Sequence, residues 1–260
     1  MANMSFLNIN SLNTTTQVTP SLGGTSTVSR LFDRDEDKQF GSGDTSDATT
    51  TTIQIDFVST QTIDKIILQN INFKSFKMYH SGVTASTFTL SNNITTTSDW
   101  STNSLTNMYL IINSATAFTQ LNIDISTTAV AASEKKMGQL WITSLNTELT
   151  DNPSAKQYKA KIKRKEFPVE MSNGGTDIYW VDENFQVNIN LKYVSTTVQT
   201  ALKSIYSGND HSVFVPEPTG TSWVGTIYAV NWVGDFGQQW TKDFKNTGQN
   251  QIMKLKEIAK

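Results

Sequence analysis

Several side-chain groups in this chain are of types and spacings that could do chemistry. One is the acidic turn Asp33-Arg-Asp-Glu-Asp37, whose Asp33, Asp35 and Asp37 carboxylates could supply oxygen ligands to Ca²⁺, an ion that takes about six to eight of them. The spacing is not that of an EF-hand loop, because no glycine and distal glutamate complete it. A solvated turn capped by its own Asp side chains is the competing reading. Exposed aromatics form another group: Trp100 stands in a polar segment and Tyr79 closes an apolar strand pattern, so either ring could stack on a sugar or fill a partner's pocket. For Trp223, Trp232 and Trp240, burial in a β core is the simpler expectation.

Catalytic sets are weak by comparison. His80 and His211 are the only histidines and lie far apart, which argues against a metal pair or a Ser/His/Asp triad. Asp177, Asp182 and Glu183 could be read as the carboxylate pair of a glycosidase, yet any soluble β protein offers such clusters. No glycine-rich phosphate loop is present. The run Lys159, Lys161, Lys163, Arg164, Lys165 lacks the aromatic interleaving of a nucleic-acid reader and fits a charged edge strand or an intersubunit charge match. The expectation is a non-enzymatic protein with no nucleic-acid partner.

The elements that must position these residues read as β throughout. Charged residues make up only 17% of the chain, and Thr, Ser and Asn take their place, which suits strands and turns. Apolar residues alternate at Ile53, Ile55 and Phe57, at Ile66 and Leu68, and at Phe76 and Met78. Met108–Ile112, Leu121–Ile125 and Lys136–Leu145 are further strands, and Ser91–Asn107 is a loop or short helix across the sandwich mouth. In the C-terminal part Glu183–Tyr193, Ser212–Pro216, Thr226–Val233 and Gln251–Ile258 are strands. Ser195–Ser207 is the one helix, with Val198, Leu202 and Ile205 on one face and Gly208 to end it.

The organisation expected is an N-terminal arm over 1–29, a β-sandwich over 30–150 and a second β unit with one helix over 151–260, divided near Asp151-Asn-Pro153. Such an arm could lie across a neighbouring subunit. The net charge of −2 is unevenly spread: residues 1–150 hold 8 Lys+Arg against 12 Asp+Glu, and residues 151–260 hold 13 against 11. Near-neutrality gives no general drive toward nucleic acid or acidic membranes. The absence of cysteine, of an N-terminal signal pattern and of any membrane-length apolar run favours synthesis in a cytoplasm without membrane insertion.

Leu31–Phe40 and Thr51–Tyr79 carry a resemblance. Ile53-Gln-Ile-Asp-Phe57 and Ile63-Asp-Lys-Ile-Ile-Leu-Gln-Asn70 resemble consecutive strands of the galactose-binding-like (discoidin, F5/8 type C) jelly roll, and Lys136–Leu145 looks like its closing strand. The resemblance implies a structural Ca²⁺ at the acidic turn, on Asp33, Asp35 and Asp37. A glutamate of the closing strand commonly completes that site, and here Gln139 stands in its place. In the second unit Lys163–Val169, Ile189–Tyr193, the helix, Phe214-Val-Pro-Glu217 and Met253–Ile258 are similar in order to bacteriophage minor and distal tail proteins.

These features lead to a first expectation of a virion structural component: a phage tail or baseplate protein, made in the host cytoplasm, that assembles with other tail proteins as a homo-oligomeric ring through its C-terminal unit. The alternative is a carbohydrate-binding adhesin module gripping host-surface glycan through Arg34, Tyr79 and Trp100. The fold expected in both cases is mainly β, an N-terminal jelly-roll sandwich followed by a sandwich-like unit with one α-helix.

Overall fold

The computed structural model describes residues 4–8, 10–23, 25–33, 35, 38–80, 86–90, 97–149, 152–154, 156–171, 175–208, 212–216, 227–242 and 247–257. In chain order the first strands are β1 (Ser5–Leu7), β2 (Val18–Pro20), β3 (Phe40–Gly41), β4 (Thr51–Gln69), β5 (Phe73–His80) and β6 (Ser86–Thr87). Then come β7 (Asp99–Trp100), β8 (Met108–Thr128), β9 (Lys136–Met137), β10 (Gln139–Thr143) and β11 (Leu145–Glu148). The rest is β12 (Tyr158–Glu170), β13 (Thr176–Val194), α1 (Thr196–Ser207), β14 (Ser212–Val215), β15 (Tyr228–Trp232), β16 (Gly237–Lys242) and β17 (Thr247–Glu257). The chain is mainly β, as its patterning predicts.

The jelly-roll unit is organised by two long strands. The sequence pattern separates Ile53–Phe57 from Ile63–Asn70, and Met108–Ile112 from Leu121–Ile125. In the fold each pair is one strand, β4 of 19 residues and β8 of 21. Residues 58–62 and 113–120 contain neither Gly nor Pro, so nothing reverses the chain there. Instead the β4–β8 pairing slips register between Asp56 and Gln61 and again between Ile63 and Lys65. Irregularities of this kind bend a strand. Both halves therefore feed one core, where Ile53, Ile55, Ile66 and Leu68 of β4 meet Leu110, Ile123 and Ile125 of β8, Phe76 and Met78 of β5, and Leu140 and Ile142 of β10. Each fully buried side chain of this kind contributes roughly 1.5–3 kcal/mol.

The second unit is built on a sheet ordered β11-β1-β14-β15-β17-β13-β12, with β16 also on β17. Helix α1 lays Val198, Leu202 and Ile205 against Phe185, Val187, Ile189, Phe214 and Leu255 of this sheet. Ser195 caps the helix, its hydroxyl accepting from the Val198 N–H at 3.3 Å.

The N-terminal residues do not stand apart from this architecture. Within the chain itself β1 inserts between β11 and β14, with Phe6 opposite both Thr147 and Phe214. Residues 18–20 likewise pair with β4. A third apolar cluster joins the two units: Ile67, Tyr109 and Trp141, on the outer face of the jelly-roll sheet, pack with Leu7, Val213, Val215 and Ile227. The three sheet residues lie directly across from one another on β4, β8 and β10. The Trp141 indole N–H donates to Gln69 Oε1 at 2.9 Å, which satisfies that buried donor. Burial pushes the Tyr109 phenol pKa well up.

Candidate interaction surfaces

The acidic turn is held together by an amide. Gln139 Nε2, from β10, donates to Asp33 Oδ1 at 2.8 Å, to the Arg30 carbonyl at 3.1 Å and to the Asp35 carbonyl at 3.4 Å. Asp35 turns away to an ion pair with Lys38 at 2.8 Å. Of the expected Ca²⁺ set, Asp33 accepts from Gln139 and Asp35 pairs with Lys38, while Asp37, like Arg34, lies outside the described residues. Among the described residues no three His, Asp or Glu side chains converge as a metal would require.

A different turn, 44–49, does enclose a cation, supplied by the chain itself. Lys135 is fully buried, and its Nζ donates to Asp44 Oδ2 at 2.6 Å, to the Ser46 carbonyl at 2.8 Å and to the Thr49 carbonyl at 3.1 Å. These are ligand types that would suit a hard cation, and the ammonium occupies their centre. Hydrogen bonds from Lys135, the Ser46 N–H and Thr49 hold the Asp44 carboxyl far below the ordinary carboxylate range. The Asp47 carboxyl is lowered chiefly by the Ala132 N–H. Each therefore stabilises the fold above its unfolded pKa, near 3.8, and that contribution begins to be lost below this value and is gone once pH passes the folded one. Thermal midpoints followed from about pH 6 down to about pH 3 should fall, and Asp44→Asn should flatten the fall. An acid slope unchanged by Asp44→Asn contradicts this account.

Trp100 is not an exposed platform. It sits on β7, 5% exposed, with its ring stacked on Phe76 at 4.5 Å. Within the described part of Ser91–Asn107, expected as a loop or short helix, Asp99–Trp100 form a two-residue strand that pairs Trp100 with Phe76 and Asp99 with Lys77, and residues 101–107 are loop. His80 packs its ring 5.0 Å from Phe88 and 5.6 Å from Phe118, and burial pushes its imidazole pKa down. His211 lies outside the described residues.

Tyr79 belongs to a polar face that the sequence reading did not assemble. Cross-strand register on β4, β8 and β5 sets Thr52, Asp124 and Lys77 in one row, Gln54, Asn122 and Tyr79 in the next, and Asp56 with Gln120 in a third. Asp124 accepts from the Thr52 hydroxyl at 2.7 Å and from the Tyr79 hydroxyl at 3.3 Å, and Lys77 Nζ lies 3.7 Å from it. Asp56 accepts from Gln54 at 2.8 Å and from Gln120 at 2.7 Å, and Asn122 donates to Gln120 at 3.2 Å. Burial, and then the adjacent Asp124, push the Tyr79 phenol pKa up. The signal was present in the chain, since these residues are the polar partners interleaved with Ile53, Ile55, Leu121 and Ile123. Alternation alone marks an outward face without saying what it holds.

No family model matches this chain, and no curated protein matches it. Solved structures similar to about half of this chain include carbohydrate-binding modules. A module of Clostridium perfringens, numbered 4 in its family 32 series, is 13% identical and covers 53% of this chain and 100% of its own, with a TM-score of 0.40. A family 32 module of the same organism in complex with galactose is 12% identical, over 54% of this chain and 99% of its own, with a TM-score of 0.38. Chitosan-binding module 2 of a Paenibacillus sp. IK-5 chitosanase/glucanase, in complex with chitotriose, is 17% identical over 48% and 93%, with a TM-score of 0.38.

The remaining surface is the β12–β13 ribbon. The two strands pair from Tyr158 with Ile189 to Glu170 with Thr176, whereas β13 meets β17 only from Gln186 to Val194. The far part of the hairpin thus leaves the sheet as two strands. Lys159, Lys161 and Lys163 are exposed along it, as the edge-strand reading of this run expects.

Proposed function

We propose that this chain is a non-catalytic binding protein whose jelly-roll unit recognises carbohydrate while its second sheet serves as the base. The observation that carries this reading is the three-row polar face. Carboxylates that accept, amides that both donate and accept, and a lysine that donates are the groups needed to grip neighbouring sugar hydroxyls. Their mutual hydrogen bonds hold them in place before any ligand arrives, which lowers the ordering cost of binding. The Tyr79 ring, with Lys77 Nζ 5.3 Å from its centre, adds an apolar surface of the size of a pyranose. The other half of the same sheet is covered by the second unit, so this half is held in a fixed orientation. A glycan array probed with the full chain should return ligands lost on Asp124→Ala and weakened on Gln120→Ala. An array without ligands, or ligands indifferent to both changes, rejects the reading.

A second reading is favoured by the ribbon: a structural component of a phage tail or baseplate, assembled through its C-terminal unit and carried in the virion. A projecting hairpin is of use to a protein that must join neighbours. Mass spectrometry of purified particles should find the chain at a fixed ratio to tail proteins, and its absence from particles rejects this reading.

A further inference from the structure

We infer that the β12–β13 ribbon is an arm that docks onto a second copy of this chain. Beyond Phe185, the last ribbon residue with a place in the core, strand β12 continues from Ile162 to Glu170, a reach of about 30 Å at roughly 3.3 Å per residue. That stretch and the strand across from it expose large apolar side chains among their charges. Ile162 is 62% exposed, Phe167 48%, Val169 46% and Ile178 61%. Isolated exposed apolar residues are ordinary, but a cluster of them on one projecting element marks an interaction surface.

The register shows how a partner must meet it. Residues opposite one another share a face, so Ile162, Pro168 and Ile178 fall on one side of the ribbon and Phe167 and Val169 on the other. An arm meant to fold back on its own core would be apolar on one side only. This one is apolar on both, which suits insertion between surfaces of a partner.

Charge selects the partner. Lys159, Lys161 and Lys163 line one side of the shaft, and the residues across from them, Asn188, Gln186 and Asn184, are uncharged. The unit complementary to that row is present in the same chain, since residues 1–150 carry 12 Asp+Glu against 8 Lys+Arg. Among the described residues β11 and β12 border the sheet at opposite ends, each paired on one side only. A contact between a basic arm and an acidic unit joins unlike surfaces, so it repeats from copy to copy and builds a ring or filament. The inference rests on the structural reading of the second unit and names its partner.

Light scattering of the full chain across concentration tests it. The wild type should form oligomers that weaken as salt rises, because the lysine row is solvent-exposed. Ile162→Ser with Ile178→Ser should raise the dissociation constant at least about a hundredfold. Lys159→Glu, Lys161→Glu and Lys163→Glu together should abolish association. All five positions are exposed, so at a dilution where the wild type is monomeric the thermal midpoint should not move, and that separates a docking defect from a folding one. A wild type monomeric at every accessible concentration, or oligomers that survive both sets of changes, overturns the inference. Neither result alters whether the chain is found in particles, which tests the underlying reading separately.

Discussion

Phe6→Ala should destabilise the chain by about 3–5 kcal/mol, the cost of removing a fully buried phenylalanine from a core that cannot collapse around the gap. Phe6 occupies the strand that joins β11 to β14, and its ring lies 5.2 Å from that of Phe214. The loss therefore falls on the core of the second unit, at the strand that links β11 to β14. At about 2–4 °C per kcal/mol for a chain of this size, the midpoint should drop by roughly 10 °C. Differential scanning calorimetry would detect it. A drop of less than about 2 °C would mean that residues 4–8 are an appendage and contribute little to the fold.

Lys135→Met should be nearly as damaging, at about 3–5 kcal/mol, because removing one member of a buried ion pair leaves Asp44 with only the Ser46 N–H and the Thr49 and Thr51 hydroxyls to offset its charge. Here the abandoned groups are the Asp44 carboxylate and the carbonyls of Ser46 and Thr49. Lys136→Met, one residue along, is the control: Lys136 is half-exposed with only a 3.5 Å contact to Glu134, and exposed pairs of that kind contribute about 0–1 kcal/mol. Urea unfolding of the two variants should separate them clearly. Equal midpoints would show that the 44–49 turn does not depend on its internal cation.

The contrast between these neighbouring lysines shows how far the sequence could be read. Alternation announced the strands of the jelly roll, and the helix over 196–207 was legible from its apolar face and the glycine that follows it. What alternation could not show is which strands are covered on both sides. Ile66-Ile67-Leu68 is a short continuous apolar run, the pattern of a strand buried on both faces, and Ile67 does turn to the second unit. The run names no partner, because the partner is formed by residues 7, 213, 215 and 227, far away in sequence. Lys135 was invisible for a related reason. A buried lysine looks like any other until the oxygens of a distant turn are seen around it, so attention went to the denser acidic turn at 33–37. Tyr79 lies on a half-exposed polar face, whereas Trp100, set among polar neighbours in sequence, is buried. Local composition does not report that Phe76 lies across the strand from it.

The central claim is that the three-row face is where carbohydrate binds, and side-chain amide resonances test it most directly. Gln54, Gln120 and Asn122 each place an amide in this face. On titration of the labelled full chain with a glycan selected on the array, their NH₂ signals should shift together and saturate, and Asp124→Ala should abolish the shifts. Saturating shifts confined to other parts of the chain, with these three amides unmoved, would contradict the account.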